Sequence, residues 1–279
     1  LRVPNSQFIQ MTSNMDLQYN PIGTVGDNIY LLTNDGAPKG RIMVANVHKP
    51  GFKDWKELVG ETKNVLENAQ FAADKLVLSY SKDASTHLYV YSLDGKELNE
   101  IKLPTVGRAS FSGERGQKEC FYSFASFTVP GAIYQYDMAQ NKSSVYTEPK
   151  VKFSLNQYTT EQVFFNSKDG TRVPMFLTYR KGLKRNGKNP VLIYGYGGFN
   201  VSLSPNFSSM RIPFLENGGV YVQVNLRGGS EYGEEWHVAG TKMQKQNVFD
   251  DFISAAEWLV SNHFTSKEHI AIMGGSNGG

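Results

Sequence analysis

The chain has 279 residues, of which 40% are hydrophobic and 20% charged, and 29 basic against 26 acidic side chains give a net charge of +3. This composition is typical of a globular protein and excludes a collagen-like repeat, a disordered polymer and, with Cys120 as the one cysteine, a disulfide framework. No apolar segment approaches the roughly 20 residues of a membrane span, and no basic cluster indicates nucleic acid, so we expect neither as a partner.

Pairs of short alternating strands recur in the first half of the chain. They are predicted at 28–33 with 41–47, at 76–81 with 88–93, and at 120–124 with 132–138. Equivalent positions are 46 and 45 residues apart, counted from Ile42 to Leu88 and from Leu88 to Ile133. This period favours propeller blades of about 40 to 50 residues over a β-sandwich, whose turns recur about every 8 to 12 residues.

About three such blades are present, and a propeller needs about four to eight to close its ring. We therefore expect that the chain begins partway round a larger propeller. Residues 1–148 are predicted to form the C-terminal blades of that β-propeller.

The pattern changes in residues 149–279. Asp169 and Gly170 lie between alternating apolar segments and predict a hairpin. Buried strands and one amphipathic helix follow, with the strands predicted at 190–194, 219–226 and 269–273 and the helix at 247–262. Apolar strands that alternate with a helix are typical of a parallel α/β sheet. Asp250 and Asp251 lie early in the helix and are interpreted as structural, because carboxylates favour a helix N-terminus.

Residues 274–278 read Gly-Gly-Ser-Asn-Gly and follow a predicted strand. A serine on a sharp turn between a strand and a helix needs small residues two positions away on each side, so that the two elements can pass. Ser276 is therefore a candidate nucleophile, and the backbone amide of Asn277 is a candidate donor to a developing oxyanion. The alternatives for these five residues are a non-catalytic glycine turn and a phosphate-binding loop.

A second glycine-rich segment, 194–200, follows the strand at 190–194. In α/β hydrolases the loop after the third strand supplies an oxyanion donor. Tyr196 is a candidate phenolic donor, and Phe199 is a candidate apolar wall for a substrate side chain. The alternative is that both aromatic side chains only pack under the glycine turn.

Several motifs together resemble the prolyl oligopeptidase family, whose members are serine endopeptidases with an α/β-hydrolase domain and a β-propeller. They are the segments 167–171, 173–176, 194–200, 226–229, 231–233, 245–247 and 274–279, and 121–138 is similar to the end of the family's propeller. The resemblance implies a partial α/β hydrolase preceded by part of a β-propeller. It also implies cleavage of short proline-containing peptides on the carboxyl side of proline, through an acyl-enzyme and without a metal or cofactor.

The resemblance also implies roles for single residues. Ser276 matches the nucleophile, Tyr196 matches a tyrosine whose hydroxyl joins the Asn277 amide in the oxyanion hole, and Phe199 matches an aromatic residue of the proline pocket. The triad order is serine, acid, histidine, but all five histidines precede Ser276. We therefore expect the chain to lack the triad aspartate and histidine and to need the remaining parts of the same polypeptide for activity. His237 is the candidate substitute base, against a structural role.

Other functions stay open. One is a related peptidase of the same superfamily, which prefers basic residues or removes dipeptides; the surroundings of Tyr196 and Asn277 favour the proline-specific branch. Another is a non-catalytic propeller scaffold, which has no need of the strained turn at Ser276. A single cysteine suits the cytoplasm, our expected location, and the periplasm, the alternative.

Overall fold

The computed structural model describes residues 9–152 and 154–279. The first eight residues of the predicted propeller segment, and residue 153 of the segment after it, lie outside the described residues. Within the described ranges, no helix combines the length and the apolar character needed to cross a lipid bilayer.

Three antiparallel sheets of four strands follow one another along the chain. The first contains β1 (Tyr19–Val25), β2 (Asn28–Thr33), β3 (Arg41–Asn46) and β4 (Lys56–Val59). The second contains β5 (Val65–Ala72), β6 (Lys75–Lys82), β7 (Ser85–Ser92) and β8 (Glu97–Ile101). The third contains β9 (Arg108–Ser112), β10 (Glu119–Ala125), β11 (Ala132–Asp137) and β12 (Lys142–Thr147). Each sheet pairs its strands in chain order, as propeller blades do.

The predicted strand pairs are the two central strands of each sheet, and the structure confirms them. The edge strands β1 and β12 were not predicted, because neither contains a buried residue and neither shows an apolar alternation. Neighbouring sheets pack through shared apolar cores. One core joins the first and second sheets, and another joins the second and third and includes the buried side chain of Cys120.

A mixed five-stranded sheet follows. It contains β13 (Tyr158–Asn166), β14 (Arg172–Arg180), β15 (Val191–Tyr194), β16 (Val220–Val224) and β17 (Ile270–Met273). The spatial order is β13-β14-β16-β15-β17. The predicted hairpin is confirmed, since β13 and β14 pair antiparallel with Asn166 opposite Arg172. The predicted parallel arrangement is also confirmed, because β15 runs parallel to both β16 and β17.

Three α-helices accompany this sheet in the described residues: α1 (Ile212–Glu216), α2 (Glu234–Val238) and α3 (Gln246–Ser261). Helix α3 is the predicted amphipathic helix. It buries Val248, Ala255 and Leu259 in the same core as the inward side chains of β14, β15 and β16. This packing fixes the start of α3 against the loops that follow the parallel strands.

The third four-stranded sheet and the five-stranded sheet are joined by an aromatic contact. Phe127 is 2% exposed, and its ring lies 5.7 Å from the ring of Phe176 and 5.8 Å from that of Tyr221. Nearby, the Tyr232 hydroxyl donates a hydrogen bond of 2.9 Å to Oδ1 of Asp83, which lies between β6 and β7. The two halves of the chain therefore share a buried apolar contact and, beside it, a hydrogen bond.

We expect Phe127→Ala to lower the free energy of unfolding by about 3 to 5 kcal/mol, because it leaves a cavity beside the buried rings of Phe176 and Tyr221. The measurement is denaturant unfolding followed by fluorescence. Phe249→Ala is the matched control, since Phe249 is 52% exposed and its removal opens no cavity. Equal losses in the two variants would show that the contact at Phe127 does not hold the halves together.

Candidate active site

Ser276 lies in a tight 3₁₀ turn, Ser276–Gly278, directly after β17 and Gly274-Gly275. Its φ angle is 53°, in the left-handed region that costs a residue with a Cβ free energy. A Cβ at Gly274 would lie 1.6 Å from the carbonyl oxygen of Gly278, so the two outer glycines pass at a distance that no side chain permits. Ser276 itself is exposed. The turn thus has the strained backbone and exposed serine of a nucleophile elbow.

The turn Ser276–Gly278, here called the serine turn, contacts the glycine loop, which is the segment 194–200 after β15. Asn277 Nδ2 donates a hydrogen bond of 2.6 Å to the carbonyl oxygen of Tyr196. A Cβ at Gly198 would lie 2.4 Å from the same Nδ2, and a Cβ at Gly278 would lie 2.5 Å from the carbonyl oxygen of Gly195. Glycine at these positions lets the two backbones approach. The structure therefore brings Ser276, Asn277 and Tyr196, three candidate site residues of the sequence, into one region.

Phe199 does not pack beneath the turn. Its residue surface is 75% exposed, and its φ angle of 51° is again in the left-handed region. The next residue, Asn200, has a φ angle of 56°. Strained backbone that presents an aromatic ring to solvent next to a candidate nucleophile is typical of a binding site. The alternative that the ring only packs under the glycine turn is therefore wrong for Phe199. Tyr196 is half-buried.

Lys245 also lies in this region, and no sequence pattern predicted a role for it. Its Nζ donates hydrogen bonds to the carbonyl oxygen of Gly197, at 2.7 Å, and to Oδ1 of Asn277, at 3.2 Å. Lys245 directly precedes α3 and is half-buried, and this burial lowers its pKa. The glycine loop, the serine turn and the start of α3 thus meet at one ammonium group.

An ionic network centred on the buried Arg227 side chain borders the glycine loop, and its Asp169 member lies at the surface. Arg227 is 4% exposed and donates through Nη2 to Oδ1 of Asp251 at 2.6 Å, and its backbone N–H donates to Oδ2 at 3.1 Å. Arg227 Nη1 donates to Asp169 at 2.5 Å, and this guanidinium holds the pKa of Asp169 at about 2. Asp251 was interpreted as structural on the ground that carboxylates favour a helix N-terminus. That reason is wrong, because Asp251 lies in the second turn of α3 and is fully buried against Arg227.

His237 is bound to the backbone. Its Nδ1 lies 2.8 Å from the carbonyl oxygen of Gly228. A carbonyl only accepts hydrogen bonds, so Nδ1 carries a proton and the ring is held in place. This bond supports a structural role rather than that of a substitute base. No set of three or more histidine, cysteine, aspartate and glutamate side chains within 9–152 and 154–279 is arranged to hold a metal ion.

Glu231 is a buried carboxyl group between the loop 201–204 and β16. It is 2% exposed, and Oε1 accepts hydrogen bonds from the Leu203 N–H at 2.9 Å and from Asn225 Nδ2 at 3.2 Å. Oε2 is buried without a hydrogen-bond partner among the described residues. Burial raises the pKa of Glu231 to about 7, and the carboxylate of Glu67 on β5 adds to the shift. The sequence marks segment 231–233 only as part of a family motif and assigns Glu231 no role, because a glutamate in a glycine-rich loop is normally exposed.

The raised pKa of Glu231 predicts a pH dependence of stability. Between its usual value of 4.5 and about 7, the folded state binds more protons at this group than the unfolded state. The stabilisation by the neutral carboxyl is therefore complete below the usual value and is lost as the pH rises through 7. We expect this loss to reach about 3 kcal/mol in the free energy of unfolding.

Glu231→Gln should remove that dependence, since the amide keeps an oxygen acceptor and never ionises. The measurement is denaturant unfolding of both proteins across this pH range, with the exposed Glu234→Gln as control. Parallel stability curves for the wild-type protein and Glu231→Gln would contradict the assignment.

The sequence models of two domains match the chain. The model described as the N-terminal beta-propeller domain of prolyl oligopeptidase matches residues 1–149, and the model of the prolyl oligopeptidase family matches residues 205–279. The chain belongs to the prolyl oligopeptidase family. The resemblance found in the sequence is confirmed, and so is the fold class, which is part of a β-propeller followed by a partial α/β hydrolase.

Curated relatives in this family are similar over nearly the whole chain. A prolyl endopeptidase of Elizabethkingia meningoseptica is 45% identical over 98% of this chain, and one of Dictyostelium discoideum is 37% identical over 96%. These alignments cover 39% and 37% of the relatives, respectively. The chain therefore spans about two fifths of the length of the curated prolyl oligopeptidases it matches.

Solved structures of the family share the fold. A structure from a study of inter-domain dynamics in two prolyl endopeptidases is 43% identical, with a TM-score of 0.93 over 99% of this chain and 41% of its own. Prolyl oligopeptidase B from Galerina marginata, bound to a 25mer macrocyclization substrate, is 32% identical, with a TM-score of 0.92 over 99% of this chain and 39% of its own.

Proposed function

We propose that the protein is a serine endopeptidase that cleaves short peptides on the carboxyl side of proline. The exposed Ser276 in its strained turn, bonded through Asn277 to the Tyr196 loop, is the observation that carries this proposal. Two relatives are named prolyl endopeptidases, and a similar structure holds a 25mer substrate, which supports a peptide as the substrate class.

The proposed reaction assigns one step to each residue. Ser276 Oγ attacks the carbonyl carbon of the proline residue and gives up its proton to a general base. The oxyanion is held by the Asn277 backbone N–H and the Tyr196 hydroxyl. The protonated base then gives its proton to the leaving amine as the C–N bond breaks, which leaves an acyl-enzyme, and water hydrolyses this ester to release the proline-ended peptide and free Ser276. Phe199 packs against the proline ring. The base and its acid partner are proposed to come from the part of the relatives' length that this chain does not match.

Two further features belong to the proposal. We place the border between propeller and hydrolase at residues 148 and 149, supported by the end of β12 at Thr147 and the start of β13 at Tyr158. We propose a cytoplasmic location, with the periplasm as the alternative, supported by one buried cysteine and no disulfide among the described residues.

The direct test measures hydrolysis of a fluorogenic proline-containing peptide by the protein expressed from its complete gene. Ser276→Ala should lower kcat at least about 10³-fold, because no other hydroxyl replaces the nucleophile. Ser209→Ala, at another exposed serine, is the matched control and should leave the rate unchanged. The same peptide with alanine in place of proline should be cleaved more slowly.

Each result decides a separate part of the proposal. Full activity of Ser276→Ala would overturn the assignment of the nucleophile. Equal cleavage of the alanine and proline peptides would favour a related peptidase of broader or different specificity. The 279-residue chain alone should not hydrolyse the peptide, and robust turnover by it would contradict the need for further residues.

A further inference from the structure

Lys245 joins the two parts of the proposed oxyanion hole. Its Nζ contacts Gly197 in the glycine loop and Asn277 in the serine turn. Asn277 in turn donates to the carbonyl oxygen of Tyr196. The carbonyl groups of Tyr196 and Gly197 therefore accept hydrogen bonds from Asn277 and Lys245, respectively. The two side chains are also hydrogen-bonded to each other.

The bonding of Lys245 differs from that of a surface lysine. None of the ion pairs among residues 9–152 and 154–279 includes Lys245, and its two hydrogen-bond acceptors are neutral oxygens. An ammonium group that is partly withdrawn from water without a carboxylate carries a free-energy cost. A positive charge here instead suits a site in which negative charge develops on a substrate oxygen.

Side chains cannot anchor the glycine loop at Gly197 and Gly198. A Cβ at Gly197 would lie 2.4 Å from Cγ1 of Val248 on α3, and a Cβ at Gly198 would lie 2.4 Å from Nδ2 of Asn277. Neither position has room for a side chain that could anchor the loop. The loop is therefore held through its main chain: Lys245 and Asn277 donate to the Gly197 and Tyr196 carbonyl groups, and the Asn200 N–H donates to the Gly228 carbonyl at 3.1 Å.

We propose that Lys245 is a positioning residue of the oxyanion hole, which holds the Gly197 carbonyl and the Asn277 side chain so that the Asn277 N–H and the Tyr196 hydroxyl converge on one oxygen. This inference rests on the proposed peptidase function. Because the oxyanion exists only after attack by Ser276, loss of the positioning should lower kcat and leave KM nearly unchanged.

The test compares Lys245→Met, which keeps the length of the side chain but removes its donors, with the wild-type protein expressed from its complete gene. With the fluorogenic proline peptide we expect kcat to fall about 10-fold to 100-fold and KM to change less than about twofold. Lys242→Met is the matched control, since Lys242 is exposed in the same segment, and it should keep the wild-type values.

Lys245→Ala provides a second, independent readout. It leaves a space that n-propylammonium can enter, so added n-propylammonium should restore kcat in a saturable manner, whereas tetramethylammonium, which has no N–H donor, should not. Unchanged kcat in Lys245→Met would overturn the proposal. The proposal would also be overturned if kcat and KM changed by the same factor and the unfolding temperature fell, because a lysine with a purely structural role would give that result.

Two controls separate this inference from the proposed function. If Lys245→Met does not fold, the alanine variant decides, and the absence of any recovery with n-propylammonium counts against the proposal. If Ser276→Ala keeps its activity, the proposed function fails. If Ser276 is essential but Lys245→Met has wild-type kcat, only the inference about Lys245 fails.

Discussion

The contact between the serine turn and the glycine loop is the constraint on which the rest of the site depends. Asn277 reaches the Tyr196 carbonyl because Gly198 has no side chain, and the turn lies on the loop because Gly278 has none. A larger residue at either position would separate the nucleophile from the loop. The glycines of both motifs therefore allow the same contact, in which the main-chain segments that follow β15 and β17 lie directly against each other.

The Arg227 network lies next to the glycine loop and supports its contact with the serine turn. Arg227 follows β16 and connects Asp169 of the hairpin loop to Asp251 of α3. A Cβ at Gly228, the next residue, would lie 2.8 Å from the carbonyl oxygen of Gly197, so the network borders directly on the glycine loop. Removal of one partner from a buried ion pair typically costs about 3 to 5 kcal/mol, because the other charge is left without compensation. The position of the loop is therefore sensitive to substitutions in three segments that are distant in the sequence, at Asp169, Arg227 and Asp251.

Periodicity and turn residues predicted several of the elements with buried faces, although β5 and β9, which also bury residues, were not predicted. The central strands β2 and β3, the hairpin at Asp169-Gly170 and helix α3 could be found because their apolar side chains repeat with the period of the element. The edge strand β12 has no buried residue, so no such repeat exists in it. The serine turn was found because its glycines are close in the sequence.

The missed residues of the site act over long distances in the sequence. Lys245 bonds to Gly197, 48 positions earlier, and to Asn277, 32 positions later, and no local pattern marks such a contact. The burial of Glu231 likewise depends on Leu203 and Asn225, which reach it only in the folded chain.

The most direct test of the account is to trap the covalent intermediate. The protein expressed from its complete gene would be mixed with a slowly hydrolysed ester of a proline-containing peptide, quenched in acid during turnover, digested and examined by mass spectrometry. The account predicts one peptidyl group, attached through its C-terminal proline carbonyl to the oxygen of Ser276. An acyl group on any other residue, or turnover without an acylated protein, would contradict it.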